Sequence, residues 1–141
     1  MVPVLLDTSV YACALRLGHA AVVGSRMLGA GPVWLSSVVL EELYAGAGAR
    51  ERRVVEELER DFAGAKRVVV PSLGDWSRSG RVLARLAVKH GFEQIGRGRL
   101  TNDALIAVSA GRCGLRVLTA NERDYRRLSE FCTFDWQFVS L

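Results

Sequence analysis

Apolar positions along this chain come in two patterns, short unbroken runs and stripes at helical spacing. Residues 2–6 form a short apolar run of the kind a buried strand shows. Residues 10–17 and 20–28 follow as helical segments around Gly18-His19, and residues 29–32 read as a turn. Residues 33–35 make a second short strand. Ser36 or Ser37 is then placed to cap a helix carrying Glu41 and Glu42, which the glycines at 46 and 48 break. Between residues 50 and 62, Val54, Val55, Leu58 and Phe62 fall at i, i+1, i+4 and i+8, an amphipathic helix. Residues 66–70 are a β-branched strand ended by Pro71. Residues 76–90 are a helix with Val82, Leu83, Leu86 and Ala87 on one face. A glycine-broken basic loop spans 91–98. Thr101 is expected to cap a helix over 102–112, which Gly114 ends. A strand at 115–118, a short helix at 122–128 and a strand at 134–139 complete the series.

Strands that alternate with helices predict an α/β fold with a parallel sheet and helices on both faces. The 141 residues show no repeat, linker or low-complexity segment, so a single domain over 1–141 is expected.

Half of the residues are hydrophobic, enough for a packed core. The net charge is +4, and arginine carries most of the positive charge, since Lys66 and Lys89 are the only lysines. Arginine favours planar contacts with phosphate or carboxylate. The excess fits a polyanionic substrate such as nucleic acid, or a merely solvated basic surface. Cys13, Cys113 and Cys132 form no C-x-x-C pair, the pattern of a reducing cytoplasm, with Cys13 and Cys113 expected in the core. His19 and His90 have no zinc-ligand spacing. Asp7 interrupts the first apolar run, so no secretory segment opens the chain. The longest uncharged stretch, 27–40, is too short for the roughly 20 residues a membrane span needs. A cytoplasmic protein without membrane attachment is the expectation.

Acids recur where strands end or helices begin. Asp7 follows Val4-Leu5-Leu6 and precedes Thr8-Ser9. In a parallel sheet the carboxyl end of a strand is where ligands bind. Asp7 there points to chemistry or a metal, against the plainer role of helix cap. Thr8 and Ser9 are placed to orient it or to meet a phosphate. Glu41 and Glu42 lie about 100° apart on their helix. Glu42, at i+4 from Val38 and i+3 from Val39, is on the apolar side, and Glu41 faces solvent. The sequence leaves open whether both are simply surface glutamates. Asp103 starts a helix, where the helix dipole alone favours an acid. Thr119-Ala120-Asn121 follows another strand, with Asp124 a turn further on, or paired locally with Arg123, Arg126 or Arg127. Convergence of these groups would make an oxygen-lined pocket suited to Mg²⁺ or Mn²⁺. The chain has no nucleophile elbow and no phosphate-binding G-x-x-x-x-G-K-[ST] loop.

These stretches resemble the PIN-domain ribonucleases, in particular the VapC-type toxins of bacterial toxin–antitoxin pairs. The resemblance rests on Val4-Leu5-Leu6-Asp7-Thr8-Ser9, on Ser37 through Gly46, on Asn102-Asp103-Ala104-Leu105-Ile106-Ala107 and on Val117 through Tyr125. It implies a three-layer α/β/α sandwich around a five-stranded, mainly parallel sheet. It implies a Mg²⁺- or Mn²⁺-dependent endoribonuclease that cleaves by metal-activated water, leaving a 5′-phosphate and a 3′-hydroxyl. Asp7, Glu42 and Asp103 match the family's core acids. Glu42 rather than Glu41 matches because it precedes Leu43 in the pattern E-L-x-x-G. Asn121 stands where the family often has Asp, a departure that leaves open whether one metal or two are held and whether Asn121 or Asp124 fills the fourth position. Thr119 or Ser9 would support a carboxylate or contact phosphate. Arg97 and Arg99 would steer RNA, with Arg50, Arg52 and Arg53 as equal candidates. A small antitoxin whose tail crosses the acidic groove, and a homodimer, are the implied partners. Two rivals stand beside this reading. A haloacid-dehalogenase-like phosphatase needs a second Asp two residues after the first, where this chain has Ser9. A PIN-fold module that binds RNA or a partner without catalysis would be consistent with Asn121.

Overall fold

The computed structural model describes residues 1–16, 31–94 and 99–140, the side chains of Gln94 and Arg99 excepted. Val4–Leu6 (β1), Val33–Ser36 (β2), Val68–Val69 (β3), Arg116–Thr119 (β4) and Asp135–Phe138 (β5) form one sheet in the order β3-β2-β1-β4-β5. Every neighbouring pair is parallel. The helices are Thr8–Arg16 (α1), Ser37–Gly46 (α2), Ala49–Gly64 (α3), Leu73–His90 (α4), Arg99–Arg112 (α5) and Glu122–Leu128 (α6), with a 3-10 turn at Phe92–Gln94. β2 and β3 lie on one side of β1 and β4 and β5 on the other, so the right-handed rule for parallel connections sets their helices on opposite faces of the sheet. Helices therefore cover both faces, in three layers. This is the α/β/α sandwich the sequence predicts, with a sheet that is parallel throughout. The helix expected at 20–28 lies outside the described residues.

Burial follows from that layering. β1 is the central strand, and Val4, Leu5 and Leu6 are all buried, as a strand covered on both faces requires. Leu35, Val117 and Leu118 continue the core through the neighbouring strands, and Val39, Leu86, Leu105 and Ile106 cap it from the helices.

Several element boundaries differ from expectation for local reasons. β3 shrinks to two residues because the chain is still leaving α3: Lys66 has φ 57°, and Arg67 N–H bonds back to the Phe62 carbonyl at 2.9 Å. α4 begins at Leu73, before the expected 76. Ser72 accepts from Asp75 N–H while the Asp75 carboxylate accepts from Ser72 N–H, a capping box. α5 begins at Arg99, so Thr101 lies inside its first turn and does not cap it. Cys113 is exposed and Cys13 half-buried, a correction to the expectation that both are core residues. Cys113 lies in the turn at Gly114 (φ 69°) that follows α5. Among the described residues, no helix is long and apolar enough to cross a membrane.

Candidate active site

The strand order reverses between β1 and β4. β1 runs on to β2 and β3 on one side, while β4 and β5 lie on the other. In an open parallel sheet this leaves a crevice at the carboxyl ends of the two central strands. Asp7 leaves β1 at that point, and Thr119 through Asn121 leave β4 beside it. Leu6 pairs with Leu118, and the Asp7 N–H donates to the Leu118 carbonyl at 2.9 Å.

Asp7 is 2% exposed and held on every side. Its Oδ1 accepts the Thr8 N–H at 2.8 Å. Its Oδ2 accepts the Ser9 hydroxyl and the Thr119 hydroxyl, each at 2.8 Å. The bond to Thr8 is cap-like, so Asp7 also serves the start of α1. The Ser9 and Thr119 bonds lie outside that role and fix the plane of the carboxylate. Thr119 Oγ1 in turn accepts the Asn121 N–H at 2.9 Å, and Ser9 Oγ accepts the Ala120 N–H at 3.0 Å. The two hydroxyls thus lock β4's exit to Asp7.

α2 packs against α1 and α5. Ser36 caps it by accepting from Val38 N–H. Glu41 is exposed, whereas Glu42 is half-buried and turned to the crevice. The Thr8 hydroxyl donates to Glu42 Oε1 at 2.8 Å. Asp103, buried on α5, lies past the first turn of its helix, so the dipole that favours acids at helix starts does not account for it. Asn121 caps α6, its Oδ1 accepting from Asp124 N–H at 3.4 Å. Its amide nitrogen donates to Asp124 Oδ2 at 2.9 Å and reaches Asp103 Oδ2 at 3.5 Å. That nitrogen lies between two carboxylates and offsets their repulsion. Arg123 lies 3.7 Å from Asp124, the local ion pair the sequence allowed.

Asp7, Thr8, Ser9, Glu42, Asp103, Asn121, Arg123 and Asp124 line one pocket of ≈ 330 Å³. Tyr125 beneath it is fully buried and packs with tilted rings against Phe134 and Trp136, with ring centroids at 6.0 and 6.4 Å. Burial pushes its phenol well above the usual range, and the charges of Asp7, Asp103 and Glu42 add to that. Its hydroxyl meets no partner at hydrogen-bonding geometry, although Asp7 is close enough to act on it. The sequence reading missed Tyr125, because an aromatic three residues before Leu128 reads as core. Thr8, Ser9 and Thr119 all bond to the pocket's carboxylates, Thr8 to Glu42 and the other two to Asp7. Arg97 lies outside the described residues, and Arg99 is described only as the first residue of α5. Arg50, Arg52 and Arg53 are exposed at the start of α3, outside this pocket.

Among the described residues, no three acidic, imidazole or thiol groups are gathered as a ready-made cage for an ion. The carboxylates instead line an open pocket together with the hydroxyls of Thr8 and Ser9, with Asn121 and Arg123 at its side and no histidine or cysteine. That donor set fits a hard cation such as Mg²⁺, which binds through one or two carboxylates and keeps several of its waters.

The PIN domain family matches residues 4–130, and the chain belongs to that family. PIN domains are generally nucleases. Solved structures share the fold at low identity. DNA-bound VapBC from Salmonella typhimurium is 23% identical over 98% of each chain, with a TM-score of 0.68. FitAcB from Neisseria gonorrhoeae is 21% identical over 94% of this chain and 95% of that one, with a TM-score of 0.65. VapBC-5 from Mycobacterium tuberculosis, of the VapBC family of toxin–antitoxin systems, is 22% identical over 100% of both chains, with a TM-score of 0.60. No curated protein sequence matches the chain.

Proposed function

We propose that this chain is a VapC-type toxin, an endoribonuclease dependent on Mg²⁺ or Mn²⁺ that acts in the cytoplasm and is held in check by a small antitoxin. The observation that carries this is the meeting of Asp7, Glu42, Asp103 and Asp124 in one pocket at the point where the strand order reverses. Carboxylates brought together repel each other, and surface packing gives no reason to assemble them. Asp7, Glu42 and Asp103 would hold the cation, with Asn121 and Asp124 at its outer side. When bound, it supplies charge to stabilise the phosphoryl oxygens and lowers the pKa of a bound water.

The chain's own residues do the positioning. Ser9 and Thr119 fix the Asp7 carboxylate, and Thr8 fixes Glu42. Asn121 holds Asp103 and Asp124 apart by donating between them. Arg123 at the rim is placed to meet a phosphate and turn it inward. The substrate is single-stranded or loop RNA, whose bases are not locked in a helix. The structural relatives include VapBC and FitAB assemblies, which supports an antitoxin partner whose tail lies over the pocket, and a homodimer is the assembly proposed.

A second reading has one specific observation behind it. Asn121 presents N–H, not a carboxylate, to the fourth corner, which suits a binding module without catalysis. Inducing the gene with and without the neighbouring small reading frame, together with RNA binding with and without EDTA, separates the two. The toxin reading expects growth arrest that the neighbour relieves, and RNA cleavage that EDTA stops. Unaffected growth and RNA held equally well with or without metal would favour the binding module.

A further inference from the structure

A second and larger cavity, of ≈ 440 Å³, lies between α4, α5 and the segment leading into β5. Arg78, Arg81 and Arg85 line it from α4. They stand at i, i+3 and i+7, so they share one helix face over about 10 Å, with neighbouring Cβ atoms roughly 5–6 Å apart. All three are exposed, and among the described residues none of them is in an ion pair. Arg112 faces them from α5, but its Nε is committed to both oxygens of buried Asp75, at 3.0 and 2.9 Å. No carboxylate is among the described residues that line the cavity. At Gly111, α5 and the segment before β5 approach closely, since a Cβ there would come within 2.9 Å of the Thr133 carbonyl. Burial pushes the neighbouring Cys132 thiol up to about 11, while the Arg78 charge pulls it the other way.

The cleft is not part of the carboxylate pocket. Gly111 and Arg112 precede β4 and Thr133 precedes β5, so it opens at the amino ends of the strands. Gly111 lies eight residues beyond Asp103 along α5, about 12 Å at 1.5 Å per residue. We propose that this cleft is a second anchoring site for the sugar–phosphate backbone of single-stranded RNA, away from the cleavage pocket. A row of free guanidiniums at regular helical spacing suits a repeating polyanion, and arginine forks meet phosphate oxygens two at a time. That the polyanion is RNA rests on the proposed function.

The test separates anchoring from cleavage. Binding of a fluorescein-labelled oligouridine is measured in EDTA, in an Asp7→Asn background, across a range of salt concentrations. One variant carries Arg78→Gln, Arg81→Gln and Arg85→Gln. The control carries Arg60→Gln, Lys66→Gln and Arg67→Gln, the same charge removed from exposed positions at the end of α3 and just after it. Each phosphate neutralised on a single strand contributes about 0.7 to the slope of log K against log salt, so the α4 variant should lose about 2 from that slope and at least tenfold in affinity at low salt. The α3 control should change neither by half as much. Equal losses in the two variants would reduce the effect to net charge and overturn the proposal, as would an unchanged α4 variant. Unchanged RNA binding together with lost binding of an oligoglutamate peptide would reassign the cleft to an acidic protein segment. A wild-type protein that fails to cut RNA yet shows the α4-specific slope would refute the nuclease reading and leave the anchoring site standing.

Discussion

Two hydroxyls and a backbone N–H hold one carboxylate at the end of β1. Thr119 is the pivotal partner, because its hydroxyl donates to Asp7 and accepts from Asn121 N–H. Thr119→Val keeps the shape and removes both bonds. A hydrogen bond to a charged group contributes about 1.5–3 kcal/mol, so RNA cleavage should fall roughly 10- to 100-fold with the fold intact. Steady-state kinetics should show the loss in kcat rather than KM, and a wild-type kcat would remove Thr119 from the positioning network. At this scale the sequence was informative where geometry is simple. The 100° step between consecutive helix positions put Glu42 on the apolar side and Glu41 toward solvent without excluding two surface glutamates, and the structure has Glu41 exposed and Glu42 half-buried. It was silent where one side chain has two faces. An asparagine offers an oxygen and a nitrogen, and only the fold turns the nitrogen of Asn121 toward Asp124 and Asp103.

Helix ends matter most at the level of elements, and α4 depends on two devices. Its capping box joins Ser72 and Asp75, and Asp75 also receives Arg112 from α5. Ser72→Ala should cost about 1 kcal/mol in urea denaturation, the usual value of an N-cap. A change within error would show that the Asp75–Arg112 pair alone fixes the start of α4. At the other end of α4, Lys89 and His90 meet Glu130. The hydrogen bond from Lys89 holds the Glu130 carboxyl below its usual range, with His90 adding to this and burial opposing it. A lowered carboxyl pKa stabilises the fold above the ordinary glutamate value, and that contribution disappears as pH falls through the lowered one. Wild type should therefore melt above Lys89→Gln at pH 7, and the gap should close in acid. A gap that widens in acid would contradict the assignment. The capping box was legible as S-x-x-D and went unread. The early start of α5 carried no sequence signal, since Arg99 and Leu100 look like loop residues until packing buries Leu100.

For the whole molecule, the alternation of apolar runs and stripes predicted a parallel sheet, and five strands appear where five were expected. Strand order is a different matter, because nothing local in Val117 or Leu118 says that β4 lies beside β1. That adjacency puts the reversal of strand order at Asp7. It gathers acids from α2, α5 and the β4 exit, elements far apart in sequence, into one pocket. The basic cleft was illegible for the same reason. Arg78, Arg81 and Arg85 are only a polar helix face until α5 and the segment before β5 wall them in. The central claim is that this carboxylate pocket cuts RNA with the help of a divalent ion. One gel assay of single-stranded RNA cleavage in Mg²⁺ tests it, comparing wild type with Asp7→Asn, Glu42→Gln and Glu41→Gln. Cleavage by wild type and Glu41→Gln, at least 100-fold reduced in Asp7→Asn and Glu42→Gln, is the predicted result. Cleavage that persists in Asp7→Asn, or that falls as far in Glu41→Gln as in Glu42→Gln, would contradict it.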